Sequence, residues 1–383
     1  MQCVSGRLWR DAVMEPTIAG DEATRARHVH DPVARDPILP ILVAGYGMAL
    51  MLVLLLQGRS FGEAVRQGFL SHLPFAAATI GGGALMFYLI CVVAVVRPPS
   101  PFAHIVGDVR THVRSPAPLY GGIWLLVLLV IFTSLFSAWK AMIPELQPFS
   151  WDERLFRLDR WMHGGTDPWV HLHRALHTPF LTAAINVVYH LWFFVMHFTY
   201  VWVAFNRRRP ELRAQFLLAF YASWVVMGTA LAITMSSAGP CYYGFVVGLP
   251  DPYAPLLAQL QASDAAWPVW ALNVQSLLWE GYRSGDGGLT SAISAMPSMH
   301  LATTTLIALL AWRFGGALAG ACGAAFLLCI LVGSVHLGWH YAVDGYAGIL
   351  FSLVLWWVCG YVVRYRYRQR DTCRGRHGEA DER

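Results

Sequence analysis

Charge is scarce in this chain. Asp, Glu, Lys and Arg together make up 13% of its 383 residues, and Lys140 is the single lysine. A soluble domain ordinarily carries about a quarter of charged residues, so this chain cannot cover a water-facing surface of that size. Paired metal-binding spacing is missing as well. Of the seven cysteines, Cys3, Cys91, Cys241, Cys322, Cys329, Cys359 and Cys373, four fall inside apolar runs, where a cysteine packs as a small hydrophobe. The stretch "HLHRALH" offers His171, His173 and His177, but only one pair has the i, i+4 spacing that a helical zinc site wants, so no metal is expected. "GGG" at 81–83 follows no strand and lies in an apolar run, which excludes a nucleotide loop and suits helix packing. No cleavable leader is visible, because the first 37 residues are polar and mixed in charge; the first apolar run is expected to act as an uncleaved anchor.

What the chain has in abundance is apolar length. Hydrophobic residues make up 56% and the mean hydropathy is +0.46, the composition of a polytopic membrane protein. Runs near the ~20 residues that cross a bilayer core predict helices at 38–57, 69–96, 117–139, 181–205, 214–236, 298–313, 316–337 and 340–363. The formal charge of +5 is spent on arginines beside these runs, so it sets orientation and not nucleic-acid binding. Eight spans place both termini on one side together with Arg97, Arg110, Arg114, "NRRRPELR", Arg313 and the basic tail, and the positive-inside rule makes that side cytoplasmic. The opposite face receives a short hairpin at 58–68, a loop at 140–180 and a large loop at 237–297. The tryptophan-rich stretch "WPVWALNVQSLLWEGYRSG" in the last of these is expected at the outer interface, as a lid over a lipid substrate.

Two polar stretches begin helices on that face. In "HYAVDGYAG", His340 and Asp344 are four apart, so the carboxylate can hold one imidazole nitrogen and leave the other free as a nucleophile. In "SAISAMPSMHLATTT", His300 starts its helix, where exposed amides and the positive dipole end favour a phosphate, and Ser298 adds a hydroxyl. A second histidine facing the first supplies the general acid of a displacement. Cationic and donor candidates on the same face are Lys140, Arg174, Arg283 and His336, with Ser237 and Tyr242 of "SSAGPCYYG" as further pocket residues. Ionisable groups at membrane depth are functional candidates by default.

"AMPSMH" and "GSVHLGWHYAVDGYAG" resemble, in that order, the Pro-Ser-x-His and His-x-x-x-Asp motifs of the phosphatidic acid phosphatase type 2 superfamily of membrane lipid phosphatases and phosphotransferases. "KAMIPELQPFSWDERLFRLDRWMHGG" and "SSAGPCYYG" resemble segments of the branch that contains the fungal inositol phosphorylceramide synthases. The likeness runs from about residue 117 to 363. It implies an all-α, six-helix membrane core in which His340 attacks phosphorus, Asp344 orients it and His300 protonates the leaving group, through a phosphohistidine and without a metal or other cofactor. The chain departs from the superfamily pattern at Ser334, where an arginine stands six residues before the nucleophile, and at Lys140, which is not followed by the Lys-x6-Arg-Pro motif.

These observations divide the chain into a cytoplasmic segment at 1–37, two extra membrane helices within 38–116, the catalytic core at 117–363 and a basic cytoplasmic tail at 364–383. The expected activity is an inositolphosphotransferase-like transfer from a lipid phosphate or phosphodiester to a lipid hydroxyl, at the non-cytoplasmic face of a membrane, the inner membrane if the source is bacterial. Hydrolysis of a polyprenyl or phosphatidate-type lipid phosphate is the alternative. A proton-coupled transporter is a second one, disfavoured because the polar groups gather at one face and no related halves with broken helices are found.

Overall fold

The computed structural model describes residues 31–82, 85, 88, 89, 92, 93, 97–114, 117–285 and 293–381. All regular structure among them is helical. Among the described residues six helices are long and apolar enough to cross a membrane: α1 (Ile38–Leu56), α4 (Ala117–Leu146), α7 (Pro179–Phe205), α8 (Pro210–Val225, continued by a π turn and a last helical turn to Thr234), α11 (Met299–His336) and α12 (Ala342–Asp381). Between them lie α2 (Phe61–Ala76), α3 (Pro101–Arg114), α5 (Asp152–Met162), α6 (Pro168–Leu176), α9 (Ala254–Asp264) and α10 (Trp270–Ser284).

The long element α11 is two antiparallel limbs. Gly316, at φ 76° and ψ −164°, breaks the helix, a conformation that costs a glycine little. A Cβ on Gly323 would lie 2.8 Å from Ala308 Cα and one on Gly320 2.9 Å from Trp312 Cβ, so the returning limb is packed backbone-close on the outgoing one. Small residues in "GGALAGACGAA" permit that approach. The limbs fall where the sixth and seventh spans are expected. With α4, α7, α8 and α12 they make the six-helix core, and α1 packs against α4 and α8.

Three expectations are corrected. The segment at 58–68 is not merely a hairpin, because α2 already begins at Phe61, where Phe61, Ala64 and Val65 pack on the core. The loops at 140–180 and 237–297 are largely helical: α4 carries Lys140 on to Leu146, and α5, α6, α9 and α10 follow. The last helix runs beyond residue 363 through the basic tail. Residues 1–30 and part of the expected second span, 83, 84, 86, 87, 90, 91 and 94–96, lie outside the described residues.

The end of the bundle where α7 finishes and α8 starts is pinned by ion pairs. Arg213, 4% exposed, meets both oxygens of buried Asp31 at 2.6 and 2.8 Å, donates through Nε to the Val203 carbonyl at 2.8 Å and reaches the Ala204 carbonyl as well. Arg207 stands 3.7 Å from the same carboxylate. Burial pushes Asp31 upward, but the hydrogen bonds and charge of Arg213, with Arg207, outweigh it and leave the carboxyl below its ordinary range. Asp36 binds Arg366 at 2.8 Å and Arg370 at 2.9 Å, tying the segment before α1 to the far end of α12.

Candidate active site

The other end of the bundle holds the expected catalytic residues, and local sequence explains how each is presented. The returning limb of α11 stops in a Schellman turn: Gly338 takes φ 74°, its amide donates to Val335 O at 3.1 Å, and the Trp339 amide donates to Ser334 O at 3.0 Å. The freed carbonyls are then claimed by other elements, Leu337 O by Gln275 Nε2 at 2.9 Å and Gly338 O by the Cys241 amide at 2.9 Å. His340 follows at once, its amide also donating to Ser334 O at 3.1 Å. Ser334, in the place of the superfamily arginine, is fully buried and gives its hydroxyl to Leu331 O, so it closes this turn.

Helix α12 starts one residue after Tyr341. Asp344 reaches back three positions to accept the Tyr341 amide at 3.0 Å, the carboxylate half of a capping box. The same oxygen, Oδ2, lies 3.4 Å from His340 Nδ1, while Oδ1 has no hydrogen-bond partner among the described residues. That contact is longer than a formed hydrogen bond, as catalytic pairs often are before substrate arrives. It sets the carboxylate beside Nδ1. Burial pushes the His340 imidazole down to about 3; a backbone hydrogen bond at Ala295 opposes this and the nearby Lys140 charge adds to it. The ring is therefore neutral, the form a nucleophile needs.

His300 and Ser298 come from the first limb of α11. The Ser298 amide donates to Asp344 O at 3.1 Å, and a Cβ on Gly348 would lie 2.6 Å from Ser298 O, so glycine lets α12 lie directly on the start of α11. This brings the His300 and His340 rings to 5.9 Å between centroids at 64°. Aromatic rings of α7 hold His300: Tyr189 stacks at 4.7 Å, Trp192 lies at 4.0 Å and donates through Nε1 to Thr303 at 3.0 Å, and Phe193 meets it edge-on. Ser298 Oγ is fully buried with no hydrogen-bond partner among the described residues. Lys140 of α4 lies close enough for its charge to act on His340, and no acidic side chain pairs with it among the described residues.

The remaining expected residues are placed elsewhere. His336 stacks on His173 at 4.1 Å and shares a 3.0 Å hydrogen bond with Thr182, in a buried cluster beneath the Schellman turn. Ser237 donates to Asp152 at 3.0 Å and Tyr242 to Gln275 O at 2.9 Å, so both hold loops together. Arg174 and Arg283 are exposed on α6 and at the end of α10. Sequence reasoning assigned no role to Tyr189 and Trp192, which wall His300, or to Asp152 and Asp159, which bind the loops around His340. The latter two were visible in "WDERLFRLD", where carboxylates seven apart share one helix face.

Among the described residues no group of three or more His, Cys, Asp or Glu side chains forms a metal cluster. A family model for the PAP2 superfamily matches residues 153–358, a stretch that contains His300, His340 and Asp344 and excludes Lys140 and Asp152. No curated protein and no solved structure matches the chain.

Proposed function

Because the chain belongs to the PAP2 superfamily, a family of phosphatases and phosphotransferases, we propose that it moves a phosphoryl-type group from a membrane lipid through a phosphohistidine on His340. The observation that carries this reading is the pairing of His340 with Asp344 at 3.4 Å and with the His300 ring at 5.9 Å, across the junction of two helix starts. In the first step His340 Nε2 attacks phosphorus, the bond from phosphorus to the leaving oxygen breaks, and His300 gives that oxygen a proton. In the second, an acceptor hydroxyl gives its proton to His300 and attacks phosphorus, and the P–N bond breaks to restore His340. Lys140, Ser298 and the first amides of α11 face the phosphate oxygens and stabilise the charge that builds on them.

A lipid hydroxyl is the acceptor we favour, as in the inositol phosphorylceramide synthase branch. His340 is only 7% exposed, Asp344 is fully buried, and Tyr189, Trp192 and Phe193 wall His300, which suits exclusion of water. The site lies beside Tyr189 and Trp192 of α7, about 20 Å along that helix from Val203 and Ala204, where Arg213 meets Asp31. With the arginine-rich end cytoplasmic, the site opens at the non-cytoplasmic face.

The test is to incubate purified protein with phospholipids and lipid pyrophosphates, with and without ceramide or diacylglycerol, and identify products by mass spectrometry. Acceptor-dependent formation of a new phospholipid supports transfer; release of inorganic phosphate regardless of acceptor assigns hydrolysis; no product with any donor overturns the reading.

A further inference from the structure

The nucleophile loop is held from outside by one short helix. α5 carries Asp152 and Asp159 on the face that also buries Leu155, and both carboxylates are spent on backbone and hydroxyl groups around His340. Asp159 accepts the amides of Ala342 and Val343 at 3.0 Å each, one on each oxygen. Those are the first two amides of α12; a capping side chain at position 341 would ordinarily satisfy the second of them, which tyrosine cannot. Asp152 accepts the Tyr341 hydroxyl at 3.1 Å, the Ser237 hydroxyl at 3.0 Å, and the amides of Ala238 and Gly239 at 2.9 and 2.8 Å. It thereby joins the "SSAG" segment to the residue that follows the nucleophile. Ser237 in turn accepts the Ala295 amide at 2.9 Å, which carries the same tie to the approach of Ser298 and His300.

We infer that Asp159 and Asp152 are positioning residues for the His340–Asp344 pair: by taking the exposed amides of α12 and the Tyr341 hydroxyl, they leave Asp344 free to serve His340. The physical reason lies in competition for one carboxylate. A helix start with unsatisfied amides draws the nearest carboxylate onto itself, and the nearest is Asp344, already holding the Tyr341 amide. With Ala342 and Val343 satisfied from α5, Asp344 keeps its place 3.4 Å from His340 Nδ1. Ordinary capping predicts a loss of stability when Asp159 is changed. Positioning predicts a loss of the chemical step in protein that is still folded.

This inference rests on the phosphohistidine reading, and the experiment separates the two. Asp159→Asn, Asp152→Asn, Leu155→Ala and His340→Ala are purified and assayed with the donor lipid the wild type turns over, recording kcat, KM and thermal midpoint. Asparagine keeps one acceptor and offers an amino group to the other amide, so one α12 hydrogen bond is lost. The expected result is a fall in kcat of about 100-fold for Asp159→Asn, the scale of a small misplacement of reacting groups, with KM changed less than about threefold and the protein folded. Leu155→Ala, which loosens the same face without touching the loop, should lower the midpoint more and kcat far less. Equal kcat losses in Leu155→Ala and Asp159→Asn, a wild-type kcat in Asp159→Asn, or failure of both aspartate variants to fold where Leu155→Ala folds would each overturn positioning. A His340→Ala variant that keeps turnover would overturn the underlying reading instead.

Discussion

The two ends of this bundle treat buried charge in opposite ways. At the end where α8 begins, the two buried carboxylates, Asp31 and Asp36, are held by arginines, and Arg213 spends its guanidinium on Asp31 and two backbone carbonyls. At the other end, Ser298 Oγ, His340 Nδ1 and Asp344 Oδ1 are buried without hydrogen-bond partners among the described residues, and Lys140 has no acid beside it. Buried polar groups are normally satisfied, because each unpaired one costs about 1–3 kcal/mol. The paired end fixes the orientation of the helices. On the proposed function, the unpaired end holds donors and acceptors in reserve for a ligand that brings its own oxygens.

The sharpest way to break this contrast is at the unpaired end. His340→Ala should lower turnover by at least about 10⁴-fold, the scale at which catalytic triads fail, while the protein still inserts in membranes; His300→Ala and Asp344→Asn should follow it. Unchanged turnover in the His340 variant would remove the covalent mechanism. At the paired end Arg213→Ala should act in reverse, costing about 3 kcal/mol by leaving buried Asp31 with only the longer contact to Arg207, seen as a lower thermal midpoint in detergent with turnover per folded molecule preserved. Lys140→Met should reduce kcat/KM by about 100-fold, as expected for one lost phosphate donor, and should not lower the thermal midpoint, since no partner is orphaned.

The smallest effect expected is on pH. Burial pushes the Asp159 carboxyl up to about 6; the Ala342 and Val343 amides and His163 pull it down, and Asp344 pushes it up. As pH falls through that value, Asp159 takes up a proton and loses an acceptor that α12 needs. The wild-type rate at pH 5 should therefore be about tenfold below that at pH 7, and Asp159→Asn should lack this acid limb. His340, held down to about 3, does not titrate in this window. A limb that survives in Asp159→Asn would assign it to another group.

The long helices and one contact of the unpaired end were legible in the residues; the ion pairs of the paired end were not. Apolar run length located most of the long helices, and the gap between the runs expected at 298–313 and 316–337 falls beside the break at Gly316. The short spacing of His340 and Asp344 foretold their contact, which is made across the start of α12 by residues four apart. Partners far apart in sequence were not legible. Nothing in "SSAGPCYYG" says that Ser237 turns to Asp152, or that Tyr242 reaches the Gln275 carbonyl. His336 was expected beside His340 by spacing, but the Schellman turn at Gly338 intervenes and sends it toward His173 and Thr182. Asp159 escaped notice because the amides it satisfies belong to residues 183 and 184 positions later.

That separation also has a meaning in time. A chain made at about 5–20 residues per second exposes Asp159 for roughly 10–40 s before Ala342 leaves the ribosome. During that interval the bundle up to the second limb of α11 can already sit in the membrane, anchored at Arg213, with its carboxylates solvated and its nucleophile unmade. Arrival of α12 then closes these contacts in one event: Asp159 meets the Ala342 and Val343 amides, and His340 and Asp344 come together against Ser298.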